Sequence, residues 1–464
     1  MSLVADRQPG TDDTVRRRRS PITAWRDFGR PPRLMGVDVA RGIAVFGMIA
    51  AHAGIAASLE LLDPRTWIAL AEGRSSILFA VVAGISIAFA AGAGKRPTGE
   101  ALRSARLRMA GRAIAVLAIG LLLELLGSSI VVILSVYGVL FLLVIPFLGL
   151  RRRTLVLTSV ALALTGPTLV AVVQTLTLGS WGEGVDFLIN GVYPVTVWLP
   201  LMLTGIAIGR CTLGETRTAL AVLGVGGILA AGGYALGGLV GGLDGESGSY
   251  GSSSVEMYGS VEEHEEPEEV PGEDVDLSGK VCVEDFDGWV TCFSQEWSDE
   301  DWSDGEGSGE GVEEGDGYFE SIGESDLGAA VRAAWSSGPH SGGTLEIIAS
   351  GGFALAVVGA CLLLAAPLRW ILIPIAAVGT MPLTAYAAHV VSFAVLSDPV
   401  NLAPQVLEWG PGGTGTGLWL VSVGVLLLGC TLWALTVGRG PLERITARAA
   451  LAMDRPAGSE GDQR

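Results

Sequence analysis

Three ionisable residues interrupt the first long apolar run of the chain, RLMGVDVARGIAVFGMIAAH from Arg33 to His52: Asp38, Arg41 and His52. A charge at membrane depth is costly, so such residues are functional candidates by default. Eleven steps separate Arg41 from His52. At ~100° per residue they return His52 to nearly the same helix face, roughly 16 Å farther along. The two groups cannot pair, but one long ligand could touch both. A histidine so placed can act as base or nucleophile in a group transfer, with the arginine holding an anionic donor. A plainer reading also stands, with Asp38 at the positive helix start, Arg41 snorkelling to the headgroups and His52 at the far interface.

Elements must carry these residues across a bilayer. Half the 464 residues are apolar, only 17% are charged, and mean hydropathy is +0.50. Runs of about 20 apolar residues are long enough to span. The expected fold is an all-α polytopic membrane protein of ten spans, near 36–56, 75–93, 109–127, 130–149, 154–174, 190–209, 218–242, 346–366, 371–397 and 416–437. Basic residues cluster at every second loop, at 95–108, 151–153, 210–217, 369 and 439–444, which places both termini in the cytoplasm. Arg65 and Arg74 in the first outer loop break that pattern. Residues 1–35 hold no apolar core, so no cleaved signal is expected. The basic cluster Arg16–Arg19 flanks a span and reads as a cytoplasmic tail, not as a nucleic-acid arm. The expected division is a tail at 1–34, a bundle at 35–242, an insert at 243–344, a second bundle portion at 345–438 and a tail at 439–464.

The net charge of −18 hides two opposite parts. Between Asp244 and Asp326 stand 28 acidic residues and one lysine, a net of −27, so the remainder carries +9. This acidic Gly/Ser-rich insert is too polar to fold on its own. The exception is LSGKVCVEDFDGWVTCF, where alternation around Asp-Gly predicts a β-hairpin with Cys282 opposite Cys292. Outside the cell that pair is expected to be disulfide-bonded.

Other polar groups lie in or beside the spans. Arg74 opens the second. Glu124, in AIGLLLELLG, is expected to be buried and to need Arg74 or His52 as partner. His340 precedes the eighth span. Tyr386 and His389 follow Pro382 in GTMPLTAYAAHVV, three residues apart on one face, with the proline expected to kink the helix. Tyr193 and Trp198 read as interface anchors. Gly233, Gly237 and Gly241 recur at a spacing that lets helices approach closely. The four histidines are dispersed, so no metal site is expected. No P-loop or GxGxxG in a strand–helix setting is present, so no soluble nucleotide fold is indicated.

The run GVDVARGIAVFGM resembles the heparan-alpha-glucosaminide N-acetyltransferase family and the bacterial membrane families known as domains of unknown function 1624 and 418. GTMPLT and the tail GRGPLERITARAA resemble the ending of the latter. An arginine, ten residues and a histidine is similar to the acyltransferase family 3 pattern. The resemblance implies a plasma-membrane acyltransferase that takes an acetyl group from acetyl-CoA as co-substrate. It implies an extracytoplasmic acceptor such as a cell-envelope sugar. His52, Arg41 and Asp38 would be catalytic; Arg74, Glu124, His340, Tyr386 and His389 would bind substrate. One departure stands: the heparan family places its catalytic histidine in the loop after the first span, and residues 53–74 hold none. Two other classes remain open on the residues alone. A transporter or flippase would use the same intramembrane groups as a pathway. A sensor would use the acidic insert to bind a basic partner.

Overall fold

The computed structural model describes residues 20–53, 73–243, 280–284, 290–294, 327–396 and 416–454, apart from positions 32, 93, 129, 179–182, 190 and 339. Two units separate: residues 253–325, and the rest of the chain.

In the larger unit the helices are α1 (Pro21–Asp27), α2 (Met35–His52), α3 (Arg74–Gly92), α4 (Gly99–Glu124), α5 (Ile133–Val144) with a tighter turn at Ile145–Gly149, α6 (Arg152–Leu176), α7 (Glu183–Ile189), α8 (Val195–Gly209) and α9 (Thr216–Leu243). They continue with α10 (Leu327–Ala333), α11 (Thr344–Leu364), α12 (Arg369–Thr380), α13 (Pro382–Leu396), α14 (Thr416–Thr436) and α15 (Pro441–Met453). Among the described residues six helices are long and apolar enough to cross a membrane: α2, α3, α6, α9, α11 and α14. A seventh arises if α12 and α13, bent by 77° at their junction, count as one. α8 and the stretch Ile133–Gly149 are apolar but shorter, and α4 carries five of its six charges between Glu100 and Arg112. Every expected span thus falls on a helix, while length and composition alone support six or seven crossings.

α2, α3, α8 and α11 form the centre. α3 and α8 touch backbone to backbone at Gly84 and Gly205: a Cβ on either would lie 2.1 Å from a carbonyl oxygen of the other helix. Such small-residue contacts supply packing where lipid gives no hydrophobic drive between helices. α9 meets α11 in the same way, with Gly233 against Ala349. Outer helices α6, α9 and α14 keep most of their apolar surface exposed, as a lipid-facing helix does. Pro167 in α6 cannot donate to the carbonyl of Ala163, and that oxygen instead accepts from Thr344 Oγ1 at 3.1 Å. Tyr193 and Trp198 are not interface anchors. Both are buried, ring against ring at 5.3 Å.

In the smaller unit β1 (Lys280–Glu284) pairs antiparallel with β2 (Val290–Ser294), with Cys282 opposite Cys292. The expected turn at 286–288 lies outside the described residues. The disulfide remains a proposal.

Candidate active site

The start of α2 is a charge network. Asp38 accepts from Arg33 Nε at 2.6 Å and from Arg41 Nη1 at 3.0 Å. Arg41 also donates to Ser86 Oγ at 2.7 Å and to the carbonyl of Gly379. Arg41 and Asp38 are only 14% and 9% exposed. A buried charge needs this much compensation. The carbonyl of Gly379 belongs to the last turn of α12, where helical carbonyls lack intrahelical partners and the dipole favours a cation. Gly379 itself has no room for a side chain, since a Cβ there would fall 1.8 Å from Asp38 O.

Arg41 faces a cavity of about 1140 Å³. Its wall holds four further arginines, Arg33, Arg112, Arg439 and Arg444. Among the described residues one carboxylate lines it, Glu443. Apolar and aromatic groups, Phe79, Leu134, Tyr137 and Phe141, line the remainder. The break between α12 and α13 forms part of the wall through Thr380, Pro382 and Leu383. A site of this shape suits a ligand with a multiply charged anionic head and a less polar extension.

At the other end of α2 stands a second constellation. His52 Nδ1 and His389 Nε2 lie 2.8 Å apart in a hydrogen bond, their rings within 2° of parallel. One nitrogen must donate and the other accept, so each ring fixes the other's tautomer. His389 is buried, edge-on to Phe393 at 4.3 Å, and its Nδ1 has no hydrogen-bond partner among the described residues. Tyr386 stacks edge-on to His389 at 6.4 Å, and its hydroxyl accepts from the amide of Ile133 at 3.2 Å.

The expected site residues thus fall into groups. Asp38 and Arg41 stand together, and His52, Tyr386 and His389 stand together. One cavity does not reach both groups, because neither His52 nor His389 lines it. Its lining residue Leu134 is the neighbour of Ile133, whose amide holds Tyr386. Glu124 contradicts expectation: it is exposed, and it accepts from Ser135 Oγ at 2.6 Å, not from Arg74 or His52. The leucines around it cover a helix that is apolar on all sides, so its facing could not be read from periodicity. Arg74 Nε donates to Tyr234 Oη at 2.6 Å, with the guanidinium 5.1 Å from the tyrosine ring. His340 sits in a left-handed turn at φ 59°, its amide bonded at 2.8 Å to the buried carboxylate of Glu346. On α3, Phe79 and Ser86 face the cavity and Gly84 faces α8. Sequence reasoning missed Arg112, Arg439, Arg444 and Glu443 as one cluster. The signal for Glu443 was present, namely an acidic residue two positions after a proline that opens a helix.

Residues 33–232 match the family model described as heparan-alpha-glucosaminide N-acetyltransferase, catalytic. Over that region the chain is heparan-alpha-glucosaminide N-acetyltransferase-like. The matched stretch includes Asp38, Arg41, His52, Ser86 and Arg112, but ends before α11 and thus before Tyr386, His389 and Glu443. No curated protein and no solved structure matches the chain.

Proposed function

We propose that this chain, acetyltransferase-like over residues 33–232, is a membrane acyltransferase that moves an acetyl group from acetyl-CoA to an acceptor on the far side of the bilayer. The observation that carries the reading is the arginine-lined cavity at the start of α2, with an imidazole pair at the end of the same helix. The donor's phosphates would lie among Arg33, Arg112, Arg439 and Arg444, with Arg41 deeper in the bundle. Its thioester would extend past Phe79 toward Leu134 and Tyr137. Neither histidine lines the cavity, so a conformational step would precede transfer at His52. His52, held by His389, would remove the acceptor's proton or take the acyl group itself. Arg74, which opens α3, and His340, in the turn before α11, are proposed to meet the acceptor, a cell-envelope sugar. The basic end of the bundle is proposed to face the cytoplasm.

The test is binding of acetyl-CoA to purified protein, followed by transfer of labelled acetyl groups to an envelope fraction. The reading is lost if neither occurs in protein that retains its helical content. One observation favours a second reading, a transporter: a helix broken at mid-bundle, with charged groups at the break, is how transporters build substrate sites. Ion-coupled uptake without acetyl-CoA turnover would establish it.

A further inference from the structure

The motifs GTMPLT at 379–384 and GPLER at 440–444 lie apart in sequence, yet the structure joins them. A helix broken inside a bundle leaves free carbonyls at the end of its first half and free amides at the start of its second. Both sets meet charge brought from elsewhere. Arg41 takes the carbonyl of Gly379 at the end of α12. Glu443 Oε1 accepts from the amides of Leu383 at 2.8 Å and Thr384 at 3.2 Å, at the start of α13. Each charge has the sign that the helix dipole favours. The other carboxylate oxygen accepts from Thr384 Oγ1 at 2.6 Å, and that hydroxyl accepts from the amide of Leu442 at 3.2 Å. Two helix starts thus cap one another. Gly440 leaves space for the contact: a Cβ there would lie 2.1 Å from Glu443 Oε2.

We infer that Glu443 is a positioning residue for the transfer reaction, holding the start of α13 and so setting where Tyr386 and His389 stand against His52. The inference rests on the acyltransfer reading. His389 lies five residues beyond Thr384, roughly 7.5 Å along the helix, so a tilt at the start is carried to the imidazole. Glu443 also brings a negative charge to a wall of arginines. Its removal is therefore expected to spare donor binding and to harm turnover.

Three measurements test this on the full chain in detergent or nanodiscs. In E443A, kcat falls about tenfold while the KM for acetyl-CoA does not rise, as expected when a transition-state arrangement is lost. In E443Q the amide oxygen still accepts from Leu383 and Thr384, and kcat returns to within about threefold of native. Hydrogen–deuterium exchange over 379–392 is faster in E443A and native in E443Q. A raised KM with native kcat in E443A would make Glu443 a donor contact and overturn the inference. Native exchange in E443A would show that it does not hold α13 and would overturn it equally. If native protein neither binds nor turns over acetyl-CoA, the acyltransfer reading fails, while the exchange experiment still decides whether Glu443 anchors α13.

Discussion

The two ends of α2 handle polarity in opposite ways. At Asp38 and Arg41 every charge is met by another charge or by a helix terminus, and neighbouring arginines extend that field into an open cavity. At His52 two imidazoles satisfy one another, packed beside Phe393, with one buried nitrogen unmatched among the described residues. The first arrangement suits holding a large anion, because its charges are fixed and already desolvated. The second suits moving a proton, because each imidazole nitrogen can donate or accept one. The difference separates binding from chemistry along a single helix.

That separation can be broken by substitution. His52→Ala is expected to lower acetyl transfer by ~10²–10⁴, the range for loss of a general base, with acetyl-CoA affinity nearly native. A parallel loss of affinity would merge the two ends into one site. Asp38→Ala leaves Arg41 buried without its carboxylate, at a cost on the order of 3 kcal/mol, read as a lower melting temperature in detergent. Asp38→Ala with native melting would mean that Gly379 and Ser86 suffice for Arg41. Replacing Arg439 and Arg444 together by alanine is expected to weaken acetyl-CoA binding about tenfold, less at high salt, without changing transfer at saturating donor. A loss of transfer at saturation instead would tie these arginines to the chemical step.

The smallest effect lies away from both ends. Asp454 accepts from Ser104 Oγ at 2.6 Å and from Arg108 Nε at 2.7 Å, and these bonds hold its carboxyl below the usual carboxylate range. A lowered folded value gives stability that is fully present above the ordinary carboxylate range and lost as pH falls through the lowered one. Asp454→Ala should therefore cost a little melting temperature at pH 7 and none at strongly acidic pH. A difference that persists in acid would assign the effect to packing of α15 on α4.

Much of the helical body was legible in the sequence, because long apolar runs have few other folds in lipid. Residues 36–56 were expected and α2 occupies Met35–His52; 75–93 were expected and α3 occupies Arg74–Gly92. Pro382 announced the break, but not that Arg41 and Glu443 meet the backbone groups freed at the 77° bend. The candidate site was legible only as separate residues. His52 and His389 are 337 positions apart, and Thr384 and Glu443 are 59 apart. Such pairings are properties of helix packing and carry no local signature. The buried ring pair of Tyr193 and Trp198 failed for a related reason: aromatic rings near a helix start suit an interface and a packed core equally.

The short helices around the cavity have a consequence for the surrounding lipid. α5 and α12 have 12 residues each, and α13 has 15. At 1.5 Å per residue these reach only ~18 and ~22 Å, against about 30 Å of hydrocarbon. Bilayers thin beside such segments at modest cost. Where such a segment meets lipid, a carrier with a charged head faces a shorter oily barrier than along the long outer helices.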